Sequence, residues 1–242
     1  MPVSGLDKKS VLGYRCESSH NLVGFGHFSK PAVLVGIHLP ESSLAEAKNR
    51  FAINKIGAEL IKLDSGASKL PWHDTSLDYI HSSGVPHHTP DPVRILREFS
   101  GILKPGGVTR VIVYNYGSLW LHLYVAHQRS ILQNLYPREN IRDQFRRSTD
   151  GENRPISNCY RPAEWNVIYE QVGFGAEFIG AAVSMYEMSL LSLRYVAIKD
   201  RYLRAENSNI LMELHFDVMG YPLWNGQYAG FDGCFLLTKS DE

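Results

Sequence analysis

Two adjacent histidines, His87 and His88, stand in a loop fixed by three prolines, Pro86, Pro90 and Pro92. A histidine titrates near neutral pH, so either ring is suited to take a proton from an oxygen or nitrogen nucleophile. The competing role is structural, with one ring packed and the other capping the helix that begins near Pro92. His81, within the apolar run Leu77–His81, is expected to be buried and hydrogen-bonded. Earlier in the chain Arg15, Cys16, Glu17 and His20 crowd into six residues, His38 closes a second apolar run, and Asp64 follows a third. A further polar stretch runs from Arg147 through Thr149 and Asp150 to Glu152-Asn153-Arg154-Pro155, with Tyr160 beyond it. Its Asp and Thr are also residues that satisfy backbone amides in turns.

The elements that must position these groups follow from periodicity. Ser10–Tyr14, Pro31–Leu39, Glu59–Leu63 and Leu77–His81 read as short strands, the last ending at Ser82-Ser83-Gly84. Asp91-Pro92 places an N-cap before a proline in a first helical turn, and Val93, Leu96, Phe99, Ile102 and Leu103 recur at helical spacing. Pro105-Gly106-Gly107 is expected to stop that helix before a β-branched strand, Val108–Tyr114. Such a strand-helix-strand unit implies a right-handed crossover and a parallel pair. Arg15–Phe28 and Glu41–Phe51 supply a loop with a helix and a second helix, the latter amphipathic through Leu44, Ala47 and Phe51. Past Asn115, one or two helices are expected over Ser118–Leu135, and a charged, exposed helix over Pro137–Arg147. Strands at Phe178–Val183 and Cys234–Thr238 bracket a mixed helical stretch and a connection rich in glycine and aromatic residues.

The motifs His87-His88-Thr89-Pro90-Asp91-Pro92 and Leu103-Lys104-Pro105-Gly106-Gly107, at this separation, resemble the second half of a class I S-adenosylmethionine-dependent methyltransferase. The resemblance implies a single α/β domain over 1–242, with a Rossmann-like, mostly parallel seven-stranded sheet. Helices would cover both faces, the last strand would run antiparallel, and an insert of helix and loop would sit over the C-terminal rim. It also implies methyl transfer from S-adenosylmethionine to a small-molecule acceptor, with His87 or His88 as base. A subset of small-molecule methyltransferases has a similar polar loop, then a Tyr-led helix start and an Ala-Gly-Phe turn. Here these read Thr149-Asp150-Gly151, Tyr160-Arg161-Pro162-Ala163-Glu164 and Val172-Gly173-Phe174. By that resemblance 116–165 caps the acceptor pocket, with Arg147, Thr149, Asp150 and Tyr160 facing it.

The cofactor half departs from the family pattern. Arg15, Glu17 and Ser19 fall on its three loop glycines, Gly13 on its acid, and His38 on the acid that accepts the ribose hydroxyls. Glu41, three residues on, either reaches the ribose or complements the helix dipole. Gly66 takes the place of the adenine-binding Asp, with Asp64 two residues early. A non-glycine residue held left-handed costs roughly 1–2 kcal/mol, and about 1.4 kcal/mol lost from binding is tenfold in affinity. Two readings follow. In one, the cofactor site is rebuilt from Arg15, Cys16, Glu17, His20, His38, Asp64, Ser82 and Ser83. In the other, the protein keeps the fold but not the methylation, and serves as a binding or partner subunit or holds another ligand.

Composition narrows the surroundings. Lys plus Arg and Asp plus Glu each number 25, a zero net charge that points away from nucleic acid and anionic membranes. No apolar run is long enough for a membrane span, and Met1–Ser10 is too polar for a signal peptide. Cys16, Cys159 and Cys234 are too far apart for a metal motif and read as free thiols of a cytoplasmic protein. Only nine residues precede Ser10, so no helix is expected to cover the cofactor from that side. A second copy or a protein partner is compatible with this composition.

Overall fold

A computed structural model describes residues 4–64, 69–136, 139–151 and 156–240. Five strands lie in the first half, with helices between all but the third and fourth: β1 (Ser10–Tyr14), β2 (Val33–His38), β3 (Glu59–Lys62), β4 (Leu77–Ser83) and β5 (Leu103–Tyr114). With β6 (Phe174–Ala182) and a last strand, β10 (Asp232–Lys239), they form one seven-stranded sheet in the order β3-β2-β1-β4-β5-β10-β6. β1 through β5 pair in parallel, while β10 lies antiparallel between β5 and β6. Reversal of strand order at β1 and β4 opens the crevice at which such sheets bind ligands.

Both sheet faces are covered, so residues alternate between two cores rather than between core and water. Val11, Leu34 and Tyr79 pack with Leu22 and Phe25 of α1 (His20–Phe28) and Phe51 of α2 (Glu41–Asn54). Leu12, Val35, Ile37 and Ile80 face Leu96 and Phe99 of α3 (Pro92–Ile102), and Trp165 and Tyr169 of α5 (Pro162–Glu170) join the same core. The Asp91 side chain accepts from the Arg94 amide at 3.0 Å, so it caps α3 as its place before Pro92 requires.

Two expectations change here. α3 ends at Ile102, and Leu103, fully buried, already pairs with Leu77; the Pro105-Gly106-Gly107 segment is an irregularity inside β5 instead of a turn before it. Gly106 has φ 67°, and a Cβ on Gly107 would stand 2.7 Å from the Lys104 carbonyl oxygen, so both positions need glycine. The stretch after Asn115 forms one π-type helix, Trp120–Leu132, whose wider turn buries Leu121, Leu123 and Val125 together with His122 and His127 and leaves Leu132 exposed. The charged segment that follows gives α4 (Ile141–Thr149), half-buried because Gln144 and Phe145 face inward; Pro137 and Arg138 lie outside the described residues.

The π-helix packs against α6 (Met185–Leu190), α7 (Arg194–Lys199) and α8 (Ala205–Met212) through Leu119, Leu123, Leu190, Ala197 and Leu211. A small sheet of β7 (His215–Phe216), β8 (Pro222–Trp224) and β9 (Gln227–Tyr228) precedes β10, so the glycine-rich connection is an ordered hairpin. No helix among the described residues is long and apolar enough to cross a membrane.

Candidate active site

The β1–α1 loop carries its backbone in a shape its residues do not favour. Arg15, Glu17 and Ser19 have φ 50°, 48° and 65°, left-handed at every second residue. The turn is tied to the sheet by the Cys16 amide, which donates to the Ile37 carbonyl at 2.9 Å, and is closed within the loop by the Ser19 amide, which donates to the Cys16 carbonyl at 2.7 Å. β1 is held between β2 and β4 on the approach to α1. Three side chains therefore occupy left-handed positions at roughly 1–2 kcal/mol each. Behind the loop, Leu22 takes the space beside Gly13 and Gly36, and a Cβ on Gly13 would stand 2.7 Å from it.

Two cavities open on this loop. One, of about 550 Å³, is lined by Arg15, Glu17, Ser18 and His38 on one side and by Gly84, Val85 and His88 on the other. The second, of about 320 Å³, has apolar walls of Leu39, Leu63, Leu70 and Ile95, with Asp64 among its polar lining. Arg15 and Leu39 belong to both cavities, so the two form adjoining chambers. Two buried polar atoms here lack hydrogen-bond partners, Arg15 Nε and His38 Nδ1. Burial lowers the His38 pKa, Glu17 opposes that fall and Arg15 adds to it. Burial raises the Tyr14 phenol, which the adjacent Arg15 guanidinium counters.

Beneath the loop a small cavity of about 70 Å³ touches Arg15, Cys16, Glu17, His20 and Ser83. His81 lies at its base, buried, with its Nε2 2.9 Å from the Asn21 amide nitrogen, as its place on the strand implied. Burial depresses its pKa to about 4, with Arg110 adding to the effect. Ser82 is fully buried and its hydroxyl has no partner. The Cys16 Sγ packs toward Gly36, and burial raises its thiol. His20 is exposed, its Nδ1 3.2 Å from the Ser18 hydroxyl. Glu41 pairs with Lys62 at 2.9 Å at the start of α2 and does not itself line the large cavity, although its neighbours Pro40 and Ser43 do. Gly66 lies outside the described residues.

The β4–α3 loop separates the two histidines. His87 is buried, its ring centroid 3.8 Å from that of Tyr114 at the end of β5. His88 reaches the large cavity. Its Nδ1 lies 3.0 Å from the Ile156 carbonyl, which only accepts, so the proton of the neutral ring sits on Nδ1 and Nε2 is the basic nitrogen. That Nε2 lies 4.0 Å from Asp150, and both side chains are almost fully enclosed, 11% and 12% exposed. Tyr114 donates to Asp150 at 3.0 Å and the Ser157 hydroxyl donates to its other oxygen. Neither histidine caps α3, because Asp91 does.

Of the four residues expected over the acceptor pocket, Asp150 comes within 4.0 Å of His88 Nε2, beyond hydrogen-bond distance. Thr149 accepts from the Trp120 indole at 3.0 Å and holds the π-helix against this corner. Arg147 turns away, paired with Glu139 at 2.5 Å and stacked 4.5 Å from Tyr136. Tyr160 bridges to Asn115 and packs edge-on against Trp165. Glu152 to Pro155 lie outside the described residues. Tyr114 and Ser157 escaped the sequence reading. An aromatic at the carboxyl end of β5, beside a histidine pair in the loop that follows the neighbouring strand β4, was the available signal for Tyr114; Ser157 had none. Among the described residues no group of histidines, cysteines and carboxylates has a metal-binding arrangement.

Residues 20–111 match the family described as a methyltransferase domain. Over 108 residues the chain is 30% identical to the tRNA U34 carboxymethyltransferase of Campylobacter curvus, which covers 44% of this chain and 35% of that protein. It thus spans about a third of the length of the curated relatives it matches. The YcgJ protein of Bacillus subtilis superposes with TM-score 0.58 at 13% identity, over 99% of this chain and 94% of its own. An S-adenosylmethionine-dependent methyltransferase of Methanosarcina mazei gives TM-score 0.57 at 16% identity, over 98% of this chain and 95% of its own. At these identities the superpositions establish the fold.

Proposed function

We propose that this protein, whose residues 20–111 match the methyltransferase-domain family, transfers a methyl group from S-adenosylmethionine to an oxygen or nitrogen of a small-molecule acceptor. One observation carries the reading: His88, with a defined basic nitrogen, lines the same cavity as the loop and the strand end that would hold the cofactor. The residues present fit the cofactor in outline. The β1–α1 backbone keeps its left-handed turn, the two chambers adjoin, and two buried polar atoms await partners. Arg15, Glu17 and His38 would hold its polar half, and Leu39, Leu63, Leu70 and Asp64 the base. S-adenosylmethionine supplies an electrophilic methyl group on a sulfonium.

The chain's own residues do the rest. His88 Nε2 accepts the proton of the acceptor hydroxyl or amine as that atom becomes nucleophilic. Asp150, fixed by Tyr114 and Ser157, faces the imidazolium so formed. Phe231, its ring 4.4 Å from Tyr114, and Trp120, 5.1 Å from Phe231, pack in series behind Tyr114 and support its hold on Asp150. A small acceptor agrees with the enclosed His88 and with a chain of zero net charge, which offers no electrostatic footprint for nucleic acid. The rewritten loop favours a second reading, a cleft that has kept its shape for another ligand. Calorimetric titration with S-adenosylmethionine and S-adenosylhomocysteine separates the two. Micromolar binding is expected; no heat up to millimolar ligand, with the protein folded, would leave the second reading.

A further inference from the structure

Arg15 and Glu17 sit two residues apart on the left-handed turn, carry opposite charges, and both line the large cavity and the small one beneath the loop. Among the described residues neither forms an ion pair, with the other or with anything else. Arg15 Nε is moreover buried and without a hydrogen-bond partner. A guanidinium and a carboxylate held apart on one wall are complementary to a ligand that presents a carboxylate and an ammonium side by side. A guanidinium matches a carboxylate with two parallel hydrogen bonds, and a carboxylate accepts from an ammonium.

We infer that Arg15 and Glu17 form a zwitterion clamp that binds the amino-acid end of the ligand in this cleft, Arg15 taking its α-carboxylate and Glu17 its α-ammonium. The inference rests on the cofactor reading above, since the amino-acid end is the only part of S-adenosylhomocysteine carrying those charges. It assigns a purpose to the two substitutions that would otherwise obstruct a glycine loop. It also fits the absence of an acid at Gly13, where Leu22 leaves no room for one.

The test is calorimetric titration of the full chain with S-adenosylhomocysteine and with 5′-methylthioadenosine, a thionucleoside that lacks the amino acid. The clamp requires S-adenosylhomocysteine to bind about 10- to 100-fold more tightly, the range of charged hydrogen bonds. Arg15→Met and Glu17→Gln should each weaken it about tenfold and leave 5′-methylthioadenosine within about twofold. Arg15→Gly relaxes the backbone while removing the guanidinium, so it must show the same loss without unfolding. Equal or tighter S-adenosylhomocysteine binding by Arg15→Gly would make Arg15 an obstruction and overturn the clamp while sparing the cofactor reading. No binding of either compound by the unaltered protein, folded and at millimolar ligand, would remove both.

Discussion

The two loops that rim the cleft reach their shapes by opposite routes. In the β4–α3 loop, local sequence and structure agree: Gly84 takes φ 73°, Pro86 and Pro90 restrict the path, and Asp91 caps the helix. In the β1–α1 loop, three residues with side chains hold φ values of 48–65° because flanking strands and the Cys16 amide leave no other route. The first loop would keep its form in many contexts, the second only in this sheet. Where tertiary structure dictates a backbone, side chains there are free to change and to acquire binding roles, at a cost in stability.

Four measurements would break or sharpen that contrast. On the side of the locally encoded loop, His88→Ala should lower turnover about 10²- to 10⁴-fold, read as S-adenosylhomocysteine released with any acceptor that supports reaction, with cofactor affinity unchanged. Loss of affinity instead would move His88 from the acceptor to the cofactor. On the imposed side, Gly13→Asp should not restore an ordinary cofactor site. It drives a Cβ into Leu22 and buries a carboxylate, and should lower stability in urea by about 3–5 kcal/mol. Tolerance of that acid would mean the family's arrangement is still latent beneath the loop.

His81 supplies a pH test of the same region. Its folded pKa of about 4 lies below its ordinary 6.5, so the unfolded chain binds a proton between those values that the folded one refuses. Stability is complete above pH 6.5 and falls on acidification to pH 4, by up to about 3 kcal/mol from this ring. His122, also held near 4 by burial, acts in the same direction from the C-terminal half. His81→Asn should flatten the N-terminal share of that slope in chemical denaturation, and an unchanged slope would place the titration elsewhere.

The smallest effect is the most direct. Ser19→Gly removes a left-handed side chain and should raise stability by about 1–2 kcal/mol. Gly84→Ala, with nothing within 4 Å of its added Cβ, should lose a similar amount through the backbone alone. If both substitutions lower stability, the β1–α1 turn is not strained and the contrast between the loops fails.

Much of the parallel half was legible beforehand because its signals are local. Ser10–Tyr14 begins and ends where its apolar run does, and the Asp91 cap and the burial of His81 followed from neighbours in the chain. The end of α3 was misplaced at Pro105-Gly106-Gly107 because pairing of Leu103 with Leu77, a partner in another strand, outweighed the turn residues. The helix expected after Asn115 is present, but its π form was not legible, since a helix of wider turn leaves no mark in hydrophobic spacing that a 3.6-residue reading detects.

The sequence by itself determined which residues carry chemistry and which strands and helices bear them, because side-chain type and short-range periodicity are properties of neighbouring positions. Tertiary structure decided what those residues face. It set His88 against Ile156 and Asp150, placed Tyr114 over His87, turned Arg147 toward Glu139, and brought Arg15 and Glu17 to the lining of one cavity. The physical reason is separation: these contacts join loops from different strand ends, and only closure of the sheet and packing of α4 and the π-helix over its rim bring them within reach.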